Sequence, residues 1–274
     1  VEGKLGEVEE HVDKLRQGNH QQKVLDWLGQ EGWRHPQDDH FAKCDSGTGR
    51  WLLDSPQFNE WITETEKTLL CQGLPGAGKT VMASLVIDHL TRTAPEKTVV
   101  VYAYCDAGKR DQQKAVHILA SLLRQLIEAS PNMPECVQRF HSKNQGRQLG
   151  SVSAREFTDA LIDTALLFSR VYVVIDALDE SEDLSNLLPE ISRMQQEVKA
   201  NVLVTSRPDK RIEAMFDQYS SLEIRASDED VSWYLEKRIA QHDVMKDELG
   251  EYAAEAKAAL RETVEKIMKV SDGM

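Results

Sequence analysis

The segment Gly73-Leu74-Pro75-Gly76-Ala77-Gly78-Lys79-Thr80 constrains this chain more than any other. The spacing GxxxxGK[ST] makes backbone amides, one ammonium and one hydroxyl converge on a polyphosphate. Gly73, Gly76 and Gly78 permit backbone angles and a close approach that a Cβ would block, so successive N–H groups can line an anion nest at a helix N-terminus. Lys79 is placed to reach the β- and γ-phosphates and Thr80 a magnesium ion, with Pro75, Ala77 and Val81 completing the cradle. Such a loop needs a strand before it and a helix after it. The run TLLCQ from Thr68 to Gln72 fits a buried strand, and Met82, Leu85, Val86 and Leu90 repeat at helical spacing until Pro95.

The 274 residues suit one α/β domain with attached helices, or two small domains. Forty-six acidic against 33 basic residues give a net charge of −13, which repels phosphate backbones outside a local pocket. Nucleic acid is not an expected partner. Cys44, Cys71, Cys105 and Cys136 lie far apart without a CxxC pair, which points to a reducing compartment. No apolar stretch approaches the ~20 residues that span a bilayer, and no signal-peptide pattern opens the chain. The expectation is a cytoplasmic protein with no membrane segment of its own. A start at Val1 and an end just after a helical pattern predict a fragment of something longer.

Along the chain, Val1, Leu5, Val8, Val12 and Leu15 form a short a/d stripe within residues 1–19. It reads equally as an ordinary amphipathic helix or as the tail of an upstream helical domain. Residues 20–67 hold Trp27, Trp33, Trp51 and Trp61 around a polar, turn-rich centre, and read as a lead-in packed on the nucleotide domain. His35, His40 and Cys44 lack a fourth ligand at zinc spacing, so plain surface and core use is the expectation. The predicted core, residues 68–226, continues with a strand over Thr98 to Cys105 and a helix on Ala115, Ile118, Leu119, Leu122, Leu123, Leu126 and Ile127. Residues 135–150 read as a loop or broken helix. Ser153 and Glu156 make a capping box for a helix carrying Phe157, Leu161 and Phe168. A strand over Val171 to Ile175, a helix on Leu184, Leu187, Leu188, Ile191 and Val198, and strands at Val202 to Thr205 and Leu222 to Ile224 follow. This alternation predicts a parallel sheet covered on both faces. Residues 227–274 predict a small helical subdomain.

The run Val171-Tyr172-Val173-Val174-Ile175-Asp176 places a carboxylate at the C-terminal end of a buried strand, the position of a Walker B aspartate that holds magnesium together with Thr80. Asp179 and Glu180 follow in the loop. One of them can orient and deprotonate an attacking water; the competing reading is a solvated acidic loop that caps the next helix. Arg207, in Val204-Thr205-Ser206-Arg207-Pro208, lies at the edge of the next strand. From there a guanidinium can touch a γ-phosphate.

In this order, GLPGAGKT, VYVVIDALDES and VLVTSRP resemble the NACHT family of STAND-class P-loop NTPases, and TGRWLLDSPQFNEWI looks like its filamentous-fungal branch. The resemblance runs from about Lys23 to Met274. It implies a five-stranded parallel sheet of order 5-1-4-3-2, the Walker B pattern on Asp176, Ala177, Asp179 and Glu180, and base and ribose contacts from Thr48, Gly49, Arg50 and Trp51. It also implies a switch, inactive with ADP and assembled into homo-oligomers with ATP, that acts in non-self recognition, innate-immunity-like signalling and regulated cell death. A winged helix and a sensing repeat domain would follow Met274, and an effector domain would precede Val1.

Four functions compete on these residues. They are a slowly hydrolysing regulatory switch, a work-performing ATPase of the AAA+ type, a nucleotide or small-molecule kinase, and a scaffold whose nucleotide is structural. No Arg-rich lid supports the kinase. The absence of an Asn-Lys-x-Asp guanine-reading motif tilts the base towards ATP and ADP over GTP and GDP.

Overall fold

The structure, a computed structural model, describes residues 18, 21–29, 34–42, 44, 49–106, 108, 114–215 and 219–225. The stripe of residues 1–15, Trp33, Thr48 and the helical pattern of 227–274 lie outside the described residues. The described residues up to Ile224 form one compact unit.

Its centre is a sheet of β1 (Thr68–Gln72), β2 (Thr98–Tyr104), β3 (Arg170–Asp176), β4 (Asn201–Ser206) and β5 (Tyr219–Glu223). All pairings are parallel and the order is β2-β3-β4-β1-β5, the predicted order read from the other edge. The inner strands β3, β4 and β1 are buried on both faces, which is why they read as unbroken apolar runs. Period-two alternation sorts their side chains. Val171, Val173 and Ile175 join one core with Val202 and Val204, while Tyr172 and Val174 join the other with Leu203 and Leu69.

The first core is closed by α6 (Ala115–Ala129), α8 (Ala154–Ala165) and α9 (Leu184–Val198), the second by α5 (Lys79–Thr93), α3 (Arg50–Leu53) and α4 (Pro56–Thr63). Helix α4 opens with Ser55 accepting from the Phe58 N–H and with Pro56 at its first turn. It buries Phe58 and Trp61 against the sheet. Trp61 Nε1 donates to the Val202 carbonyl at 3.0 Å, and the Tyr172 hydroxyl to the Ile62 carbonyl at 2.9 Å. A helix over residues 21–28, α1, rests on the opposite core. There the buried Arg124 guanidinium, paired with Glu128, caps its C-terminal end at the carbonyls of Leu25 and Gly29.

Three local expectations change. Residues Glu135–Asn144 are a helix, α7, because Val137, Phe140 and Asn144 bury at helical spacing although only two of them are apolar. Phe168 lies past the end of α8 in a turn that leaves Leu166 and Leu167 exposed. The last strand begins at Tyr219 rather than Leu222, since an edge strand with the half-exposed sequence YSSLE is held by its ladder to β1 and carries little apolar signal. Two further short helices are α2 (Arg34–Phe41), inside the lead-in, and α10 (Lys210–Glu213), which follows β4. No helix among the described residues is long and apolar enough to cross a membrane.

Candidate nucleotide site

The phosphate loop joins β1 to α5. Gly76 and Gly78 adopt left-handed angles, φ 82° and 90°, with Gly78 at the N-cap of α5. At Gly73 space decides instead, since a Cβ there would meet the Ile224 carbonyl oxygen at 2.5 Å. The Gly73 N–H donates to the Ser206 carbonyl at 3.2 Å, so the loop starts directly beside the end of β4. Leu74 and Pro75 are exposed, Ala77 and Val81 half-buried against the α5-side core. Lys79 Nζ donates to the carbonyls of Gly73 at 2.8 Å and Leu74 at 2.9 Å, folded back along its own loop.

Across the loop, Thr80 Oγ1 donates to Asp176 Oδ2 at 2.8 Å. Asp176 is 2% exposed. Burial pushes its carboxyl above the usual carboxylate range, opposed by the hydroxyls of Thr205 and Thr80. Thr205 Oγ1 lies 2.5 Å from Asp176 Oδ1. A hydroxyl and a buried carboxylate at the mouth of an amide-lined loop are hard oxygen donors, the chemistry that magnesium takes, so Thr80 and Asp176 fit the predicted metal. An ion held by these two residues would supply positive charge to offset that of a bound polyphosphate.

The chain turns sharply after Asp176. Ala177 is left-handed, φ 51° and ψ 46°, and Leu178–Glu180 form one turn of 3₁₀ helix. This brings both loop carboxylates to the end of β4. Asp179 Oδ1 accepts from the Arg207 N–H at 3.0 Å, and Glu180 Oε1 from the Arg207 guanidinium at 3.1 Å. Arg207 Nε is also 3.6 Å from Asp179 Oδ2. The three residues proposed from sequence for water activation and γ-phosphate contact are thus one ion-paired cluster, with about half of the Arg207 side chain exposed.

Gly49, Arg50 and Trp51 sit beside α5. Gly49 is left-handed, φ 68°, and a Cβ there would meet Met82 Sδ at 2.5 Å. Arg50 points outward, 3.7 Å from Asp54. Trp51 packs on the α5-side core and its buried Nε1 has no hydrogen-bond partner among the described residues.

The sequence reading missed three features. Gln37 on α2 is buried between the Ser84 carbonyl and the Tyr104 hydroxyl, which ties α2 to both α5 and β2. The His40 ring packs at 5.0 Å from the Tyr104 ring, and a positive charge on it would favour the ionised form of Asp176. Thr205 is the third, and its signal was available. It is a polar residue in a fully buried strand, two positions before Arg207.

A family model described as Nephrocystin 3, N-terminal, matches residues 47–207, more than half of the chain, from before the phosphate loop through Arg207. The chain belongs to this family. The vegetative incompatibility protein HET-E-1 of Podospora anserina is 31% identical over 150 residues, which make up 52% of this chain and 11% of that protein. With the loop and sheet order these matches make the chain a NACHT-like P-loop NTPase domain, one that spans a small part of its relative's length. Solved structures with a similar fold include the ORC1 protein of Aeropyrum pernix in complex with DNA (TM-score 0.47, 18% identity, 70% of this chain and 48% of that one). The Walker-type ATPase PABY2304 of Pyrococcus abyssi gives 0.43 and 14%, over 68% and 57%. The fold follows from the order and direction of the strands.

Proposed function

We propose that this domain is a signalling switch that binds ATP or GTP, hydrolyses it slowly, and self-associates in the triphosphate state. The observation that carries the reading is the engagement of both phosphate-seeking cations within the protein. Lys79 is held by two loop carbonyls and Arg207 by Asp179 and Glu180. A triphosphate offers the Arg207 guanidinium a stronger anionic partner, and its departure removes a positive charge from Asp179 and Glu180, one of which then orients and deprotonates water. A diphosphate leaves the cluster closed. Nucleotide state is thereby converted into a rearrangement of the β4 edge, and hydrolysis resets it. Residues 48–51 would hold the base and ribose. The name of HET-E-1, a vegetative incompatibility protein, supports placing this switch in fungal non-self recognition and regulated cell death, with effector and sensor domains as its partners in a longer chain.

Light scattering of the protein in diphosphate and in a non-hydrolysable triphosphate, with Arg207 and with Arg207→Ala, tests this. Assembly should appear only with triphosphate and only in the parent. The variant should lose triphosphate affinity by about tenfold, the scale of one charge-assisted hydrogen bond, with diphosphate affinity unchanged. Assembly that is the same in both proteins and both nucleotides would reject the switch.

A further inference from the structure

We propose that Thr205 is the positioning residue that orients the Asp176 carboxylate and sets the bend of the acidic loop behind it. The inference rests on the nucleotide-switch reading. Its starting point is a break in the sheet. β3 runs to Asp176 against β2 and β4 runs to Ser206 against β1, yet the ladder between β3 and β4 ends at Ile175 and Val204. Past that rung the two strand ends are joined through side chains. Thr205 Oγ1 donates to Asp176 Oδ1 at 2.5 Å, the Ala177 N–H donates to Thr205 Oγ1 at 2.9 Å, and the Arg207 N–H donates to Asp179 Oδ1 at 3.0 Å.

A hydroxyl has one proton and two lone pairs, so Thr205 serves as donor to the carboxylate and acceptor from the next peptide at once. Its side chain is fully buried, and no water can replace either bond without opening the core. The second bond falls on Ala177, the residue in the left-handed region, a conformation that costs a non-glycine residue energy and persists only where its surroundings hold it. The first bond fixes the rotation of the carboxylate. With Oδ1 committed to Thr205, it is Oδ2 that faces Thr80 and the phosphate loop. Thr205 therefore lies behind Asp176, on the far side of the carboxylate from Thr80, and acts through the two residues it holds.

The test is calorimetric titration of ADP and of a non-hydrolysable ATP analogue, each in excess EDTA and in excess Mg²⁺, on the parent, Thr205→Val and Thr205→Ser. Valine keeps the shape and removes the hydroxyl; serine keeps the hydroxyl. Affinity in EDTA should stay within about twofold for both variants. The gain in affinity that Mg²⁺ confers should fall about tenfold in Thr205→Val and return in Thr205→Ser. An unchanged Mg²⁺ gain in Thr205→Val overturns the inference, as does an equal loss with and without Mg²⁺ or a failure of serine to rescue. Should Thr205→Val not fold, Thr205→Cys, of similar volume and with a weaker S–H, takes its place in the same comparison. A parent that binds nucleotide with no Mg²⁺ gain sinks this inference alone. A parent whose binding is absent, or is indifferent to Lys79→Ala, sinks the nucleotide reading and this inference with it.

Discussion

At the scale of single residues, the site is a set of charges held in place by neighbours that the strand ends supply. Lys79 shows how tightly. Its ammonium is satisfied by two carbonyls of its own loop, so the loop is already shaped around a positive charge and a phosphate has only to displace short, local bonds. Lys79→Ala should cost nucleotide binding at least ~2 kcal/mol, the scale of a charge-assisted hydrogen bond. Calorimetry reads this directly, and an unchanged affinity would remove the phosphate-loop assignment. The proposed catalytic pair was visible in the sequence as two acidic residues three and four positions past a carboxylate that ends a buried strand. Their ion pair with Arg207 was not, because Asp179 and Arg207 lie on different strand ends and only parallel pairing of the sheet brings them together.

Among the elements, those with a periodic apolar face or a local cap were readable from the chain. The capping box of α8 is present in full, with Ser153 accepting from the Glu156 N–H and the Glu156 carboxylate accepting from the Ser153 N–H. Helix α7 and strand β5 were misread because their stability comes from the surface they rest on, and a polar helix or edge strand leaves little trace in composition. The lead-in helix α4 depends on the sheet in the same way. Trp61 fills space under β3 and β4 and donates its indole N–H to Val202. Trp61→Phe removes that bond and leaves a buried carbonyl under-satisfied, with a smaller ring in the gap. Denaturant unfolding should show a loss of about 1–3 kcal/mol at an unchanged m value. Stability equal to the parent would mean that α4 lies on the domain without anchoring it.

For the whole molecule, the buried Asp176 sets its proposed metal-holding role against stability. Burial raises its carboxyl above its unfolded value, so the folded state holds that proton more tightly than the unfolded chain does. Such a group favours folding at low pH. Its contribution is lost as pH rises from the ordinary carboxylate range through the raised folded value, and at neutral pH the charge is a standing cost in the nucleotide-free protein. Asp176→Asn should therefore melt above the parent at neutral pH without nucleotide, and the advantage should shrink on acidification through that window. It should also bind Mg²⁺-nucleotide more weakly. Scanning calorimetry without ligand at the two pH values decides this; an Asn variant no more stable than the parent at neutral pH would mean that the two threonine hydroxyls fully offset the burial.

The sequence by itself determined the parts whose physics is local. Glycines with a lysine and threonine at fixed spacing dictate an anion-binding turn, and buried strands alternating with amphipathic helices dictate a covered parallel sheet. Its strand order came from a resemblance to a family and not from the periodicity. Tertiary structure alone decided which groups meet. Asp176 reaches Thr80 across 96 residues and Thr205 across 29, and Gln37 on α2 joins Ser84 to Tyr104. These contacts depend on where the rung between β3 and β4 stops and on which face of the sheet each residue takes. Both follow from register, which is settled by packing the two cores at once and leaves no mark on either strand read alone.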